Sequence, residues 1–224
     1  MCSTKTRFLD FDRIKLKGED AHIVIKLMMA CNDMSLANHS LTQWKSGLYK
    51  ELSDRQAGAG MYFVRVQLAH LHEGLKVIQD ISENQNLMNL LSGCDEQTKS
   101  SFNQLMKFIS KGERRNEFEQ LVGRLRHNLT FHYDESGKCI ERAIDQLASK
   151  PETRNTSMTR GSQVYLWHFK LADDLVNSIV VRQIWGIDSI ENLQEEADKV
   201  ADLVHEIFVA FMDFSGEFIW KYCL

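Results

Sequence analysis

The sequence predicts an all-α fold, one helical bundle spanning residues 1–224. Three observations carry that expectation. A chain of 224 residues holds a single proline, Pro151, and helical proteins have few places for one, whereas strand-and-turn architectures use several. Apolar residues recur in steps of three and four along most of the chain, the period of a helix with one buried face. No proline- or glycine-rich linker splits the chain, so a single sizeable core is expected.

Residues 1–18 interleave charges with short apolar pairs and read as an N-terminal extension without the apolar h-region of a signal peptide. Past Gly18-Glu19-Asp20, the spacing of Ala21, Val24, Ile25, Met28 and Cys31 predicts a first helix to about Asn38, with Asp20 as its cap. Met61, Val64, Leu68, Leu71, Leu75 and Ile78 alternate steps of three and four as in a heptad seam, predicting a long helix from Arg55 to Ile81. Asn84 to Gly93 reads as a connection with a short apolar turn, and Asp95 to Ile109 as a helix ended by Lys111-Gly112.

The next predicted helix carries one apolar stripe, Phe118, Leu121, Val122, Leu125 and Leu129, closed by the turn residues Asp134 to Gly137. Cys139 to Ala148 predicts a short helix. The span 150–162, rich in Thr, Ser, Asn, Arg and Gly, predicts an exposed loop, placed where a lid could sit but more often simply solvated. Val164 to Trp167 has the composition of a strand start, and Phe169 to Trp185 resumes a helical rhythm. Ala197, Val200, Val204, Ile207, Phe211, Phe214 and Phe218 define a carboxy-terminal helix whose aromatic face requires cover.

Composition narrows the function classes. Hydrophobic residues at 43% and charged residues at 26% describe a chain that folds by itself, not a disordered one. A net charge of -4 and a pI near 6.1 exclude a histone-like coat for nucleic acid, so any RNA contact must be local. The five cysteines (Cys2, Cys31, Cys94, Cys139, Cys223) are odd in number and lack paired spacing, which predicts reduced packed thiols and neither a disulfide framework nor a zinc site. No apolar run reaches a membrane-spanning length, so no membrane partner and a cytoplasmic address are expected. No phosphate loop, serine elbow, paired carboxylates or metal spacing occurs, and no cofactor is expected. His70-Leu71-His72-Glu73 puts its two histidines about 200° apart on a helix, which prevents them from sharing an ion and predicts a solvated face. Arg114-Arg115 makes its segment locally basic, offset by Glu113, Glu117 and Glu119.

The most informative stretch is Gly123-Arg124-Leu125-Arg126-His127-Asn128-Leu129-Thr130-Phe131-His132-Tyr133-Asp134. Histidine titrates near neutral pH and can pass a proton, while arginine keeps its charge and offers a planar fork of donors to phosphate oxygens. On an ideal helix His132 falls roughly 20° from Leu125, so it faces inward; by position alone a core-edge histidine bonded to Asn128 or a carbonyl is an equal alternative. Arg126 lies about 120° and roughly 9 Å of rise from His132. To meet at one phosphate the two need a distorted helix end, a long reach by the arginine, or two copies of the motif facing across a two-fold axis.

This segment resembles the R-x(4 to 6)-H signature of HEPN domains, small helical bundles found in many prokaryotic ribonucleases and toxins. The resemblance rests on Arg126, the polar His127 after it, His132 and the helical setting, and extends as a general layout over about residues 20 to 222. It implies metal-independent RNA cleavage at a homodimer interface, with His132 moving protons, Arg126 holding the phosphate and Asn128 orienting; Arg124, His127 and Tyr133 are the candidates for binding substrate. It also implies a role as toxin or host-defence effector, with an antitoxin or sensor protein as partner. Two positions depart from the family: His127 stands where asparagine is common, and Tyr133 directly follows His132 where the nucleotidyl-modified toxins carry a tyrosine two residues on. Some HEPN bundles only bind or assemble, so a non-catalytic adaptor or a structural subunit are the alternatives.

Overall fold

A computed structural model describes residues 6, 8–45, 56–123, 137–149, 151, 156–160, 162, 168–184 and 193–223. Nine α-helical segments appear among them: α1 (Phe11–Leu16), α2 (Gly18–Lys45), α3 (Gln56–Glu83), α4 (Gln85–Ser92), α5 (Glu96–Met106), α6 (Arg115–Phe118), α7 (Lys138–Ala148), α8 (Lys170–Ser178) and α9 (Leu193–Tyr222). A π-helical turn, Glu119–Gly123, extends α6, and a second, Ile179–Ile184, extends α8. The described sheet is a two-stranded antiparallel ribbon of β1 (Met158–Thr159) and β2 (His168–Phe169), with Met158 opposite Phe169 and Thr159 opposite His168. The predicted all-α class holds, with this ribbon as a minor addition. Val164 to Trp167, the predicted strand start, lies outside the described residues.

Helices α2 and α3 form an antiparallel hairpin. Near its open end Asn84 and Asn86 donate to the two carboxylate oxygens of Asp20 at 2.8 and 3.0 Å and Lys26 meets Asp80 at 3.3 Å, and at mid-length His70 Nδ1 lies 3.6 Å from Asp33. Asp20 is therefore a cross-helix acceptor in the first turn, and the helix begins at Gly18, whose φ of 58° suits a residue without Cβ. Of the stripe predicted for α2, Ala21 and Val24 are buried and Met28 and Cys31 pack against the core, but the buried face is turned away from Ile25 toward Ile23 and Leu27. Ile23, Val24, Leu27 and Met34 are buried while Ile25 is exposed. Six apolar side chains among residues 23–29 leave the phase of the helix undecided by period alone, and contacts with α3 and α9 choose it.

The seam predicted for α3 is buried along Leu68, Leu71, Leu75 and Ile78, with Met61 and Val64 packed at its rim. Across it, α5 and α9 run antiparallel and interlock phenylalanines: Phe102 lies 5.1 Å from Phe214, which lies 4.9 Å from Phe218, and all three are buried. Leu203, Ile207 and Phe211 continue the buried face of α9; the side chains of Ala197 and Val200 lie outside the described part. Gly74 lets α3 approach α9, because a Cβ there would stand 2.7 Å from the Phe211 ring.

The connection predicted at Asn84 to Gly93 is a helix, α4. Asn84 caps it by accepting from Leu87 N at 3.0 Å, and Leu87 and Leu91 bury its one apolar face. Asp95 caps α5 the same way, accepting from the Thr98 amide at 2.8 Å, and that bond holds the Asp95 carboxyl below its ordinary range. No disulfide joins the described cysteines Cys31, Cys94, Cys139 and Cys223, which are half-buried, and burial pushes the thiols of Cys31 and Cys94 up.

Candidate functional site

The chain reaches the candidate segment through a tight turn. Past α5, Gly112 N donates to Ile109 O at 2.8 Å and Arg114 N to Lys107 O at 2.8 Å, Lys111 adopts φ 71°, and a Cβ at Gly112 would collide with the Lys107 carbonyl. Phe108 and Ile109 are buried beneath this turn. The turn sets α6 against the core, where Phe118 and Val122 are both buried.

The two arginines at the start of α6 face the protein's own carboxylates. Arg114 donates to Glu117 at 2.7 and 3.1 Å and to Glu206 of α9 at 2.6 Å, and its guanidinium lies 4.6 Å from the centre of the Phe108 ring. Gln104 of α5 also bonds Glu206, so three elements share this node. Hydrogen bonding to Glu117 holds Arg114 still further above its ordinary value, and the same bond holds Glu117 below the usual carboxylate range. Arg115 pairs with Glu119, donates to the Phe108 carbonyl at 3.3 Å and sits 5.9 Å from the Phe118 ring. The offset by neighbouring glutamates thus dominates at Arg114-Arg115, and both side chains are engaged within the bundle.

His72 corrects an expectation. The predicted solvated face of the His70 to Glu73 run is in fact split between two packed sides of α3. His70 turns toward Asp33 of α2, whereas His72 is only 7% exposed and stacks on Phe118 with ring centres 6.0 Å apart and planes at 20°. Its Nε2 lies 3.7 Å from Glu119 and its Nδ1 3.7 Å from Glu73. The two histidines do point apart, as the 200° separation requires. The solvation expectation fails because α2 and the first π turn cover α3 on two sides, so a polar sequence position becomes an interior one. No group of three or more His, Cys, Asp or Glu among the described residues could hold a metal ion.

Arg124, Arg126, His127, Asn128, His132 and Tyr133 lie outside the described residues, as do Leu125 and Leu129 of the predicted stripe. The flanks are described. Upstream, the π turn ends at Gly123; downstream, Gly137 with φ 68° opens α7. Helix α7 is pinned by buried Ala143, by Gln183 of the second π turn donating to the Cys139 carbonyl at 2.9 Å, and by Ser178 donating to Gln146 at 3.3 Å. Residues 124–136 are therefore bracketed by two elements that are each tied to the core.

Within the loop predicted at 150–162, the described residues are exposed, and Met158 and Thr159 form one side of the ribbon. The buried His168 bonds Asp173 at 2.9 Å, and Asp174 accepts from Lys170 at 2.6 and 2.7 Å and from Thr156 at 3.0 Å. Sequence reading missed Gln104, Glu206 and His168, and placed His72 on a solvated face where the structure buries it. The spacings Arg114/Glu117 and Arg115/Glu119, three and four residues apart on one helix, were the available signal that these arginines would be paired.

Among the described residues no helix is long and apolar enough to cross a membrane. Comparison of the chain with models of protein families, with curated proteins and with solved structures returned no match.

Proposed function

We propose that the protein is a HEPN-type endoribonuclease that cleaves RNA without a metal, as a two-fold dimer, in the role of a toxin or host-defence effector. The observation that carries this reading is the arrangement Arg126-His127-Asn128 followed by His132 in the sequence. Its support is the all-helical bundle and the anchoring of both flanks, Phe118 and Val122 upstream and α7 downstream.

In this reaction the ribose 2'-oxygen attacks the adjacent phosphorus and the bond from phosphorus to the 5'-oxygen breaks. The proton leaves the 2'-hydroxyl for a base, and another is delivered to the departing 5'-oxygen, leaving a 2',3'-cyclic phosphate and a 5'-hydroxyl. His132 moves these protons, Arg126 stabilises the charge that builds on the phosphoryl oxygens, and Asn128 orients the reacting group. Arg124, His127 and Tyr133 bind the RNA on either side. Two copies of the motif at one cleft overcome the separation of Arg126 and His132 along a single helix.

The test is cleavage of RNA by purified protein, with chelator added. His132→Ala and Arg126→Ala should each lower cleavage by about a hundredfold or more with the melting temperature retained. Products should carry cyclic phosphate ends, and sedimentation should show a dimer at micromolar concentration. A lowered melting temperature with any activity per folded molecule unchanged would make His132 a core-edge residue, and absence of cleavage by the unaltered protein as well would make it an adaptor.

A further inference from the structure

Helix α2 is apolar on two opposite sides, and the bundle uses one of them. Toward α3 and α9 it buries Val24, Leu27 and Met34 completely. On the other side Ile25, Met29 and Leu36 stand 37%, 61% and 66% exposed. They belong to an exposed series, His22, Ile25, Met29, Asn32, Leu36 and His39, whose steps alternate three and four as in a coiled-coil seam. At about 100° per residue the series occupies an arc of roughly 100°, centred opposite Leu27 and Met34. A helix that is apolar on every side is ordinarily an interior one, so the outer stripe is a contact surface.

The stripe is complementary to itself. Laid antiparallel on a second copy about a two-fold axis between Ala30 and Cys31, positions equally far from the axis meet: Ile25 faces Leu36, Met29 faces Asn32 and His22 faces His39. Apolar thus meets apolar in the Ile25 layers and polar meets polar at the ends, while Met29 and Asn32, beside the axis, each also meet their own copy. A slip of one heptad would instead set Ile25 against Gln43 and Leu36 against Asn32, which disfavours it. Charge agrees with this register. Lys26 and Asp33 line one flank of the stripe and remain 59% and 53% exposed beside Asp80 and His70 of their own chain. In the antiparallel pair Lys26 of each copy stands about 3 Å along the helix axis from Asp33 of the other, so two opposite-charge pairs bracket the two-fold. We infer that this face of α2 is a homodimer interface, two copies of the chain pairing antiparallel through the stripe with Lys26 and Asp33 matched between them. Such an isologous contact closes on itself. About 26 Å of helix makes a small interface, so a dimer that separates on dilution is expected rather than an obligate one. The interface supplies a two-fold for the proposed ribonuclease but does not rest on that reading, because none of its residues belongs to the motif.

Sedimentation velocity of the full chain over a concentration series tests this. The unaltered protein should dimerise, and Met29→Glu, which sets two like charges beside the axis in a desolvated contact, should raise the dissociation constant by about a hundredfold or more. Met29 is exposed in the single chain, so the melting temperature, compared at a dilution where both proteins are monomers, should hold. Lys26→Glu alone should weaken the dimer by about tenfold, and Lys26→Glu combined with Asp33→Lys should restore it, because the exchanged charges meet again across the axis. Within one chain the exchange repairs nothing, since it leaves a carboxylate beside Asp80 and an ammonium beside His70. A protein that stays monomeric at high micromolar concentration overturns the inference, as does a dimer untouched by Met29→Glu or a charge exchange without rescue. Should Met29→Glu fail to fold, the charge exchange decides alone. RNA cleavage is read separately: a dimer through α2 without nuclease activity keeps the interface and removes the ribonuclease reading, and an active enzyme paired through another face does the reverse.

Discussion

The α5–α9 seam and the α6 junction both bury phenylalanine completely, yet they are held by different forces. In the seam, Phe102, Phe214 and Phe218 pack on one another and Phe211 closes on Gly74, with the polar contact of Gln97 and Asp213 left at the exposed rim. At the junction, Phe118 is surrounded by an imidazole and a guanidinium, and Phe108 by a second guanidinium. Burial of apolar area is non-directional, so the seam contributes stability without specifying a fine rotation. Hydrogen bonds and ion pairs are directional and modest in net energy, so at the junction they add orientation to the stability that buried Phe108 and Phe118 contribute.

The sharpest way to break that comparison is to empty the seam. Phe214→Ala should cost about 3–5 kcal/mol, read from urea unfolding; a cost near that of a surface substitution would mean the aromatic stack is not the core. Overfilling the same interface is expected to be the next largest effect. Gly74→Ala puts a methyl against the Phe211 ring and should cost about 1–3 kcal/mol, visible as a lowered melting temperature.

At the junction the stability effects should be smaller. Arg114→Met removes a half-exposed pair of ion contacts, and about 1 kcal/mol or less is expected in denaturant unfolding. Its signature is instead pH dependence. Glu117 is held below its ordinary value by Arg114, so its contribution is complete above the unfolded carboxylate range, around pH 4.3, and is lost as pH falls through the lower folded value. Arg114→Met should therefore flatten the acid limb of the stability profile, and an unaltered limb would show that Arg114 does not set the Glu117 titration.

How much of this was legible depended on whether one helix or several set the outcome. The seams of α3 and α9 could be read because Leu68, Leu71, Leu75, Ile78, Ile207, Phe211, Phe214 and Phe218 keep a helical period that needs only one partner surface. Helix α4 reads as a connection in the sequence because it is eight residues long and exposes half of them, although its cap Asn84 is in view. The rotation of α2 was hidden by too many apolar residues, and the burial of His72 by too many polar ones. The R-x(4 to 6)-H motif itself lies in residues 126–132, which are not among the described ones.

By itself the sequence determined the helical class, the buried faces of α3 and α9, and the chemical identity of the candidate segment, since composition, period and side-chain chemistry are local properties. The tertiary structure alone decided that Arg114 reaches Glu206 of α9, that Asp20 joins α2 to the start of α4, and that His72 lies against Phe118 and Glu119. Each of those contacts joins residues that share no helix turn. Which polar group meets which is set by how the helices pack, and only then do charge and burial fix what each group can do.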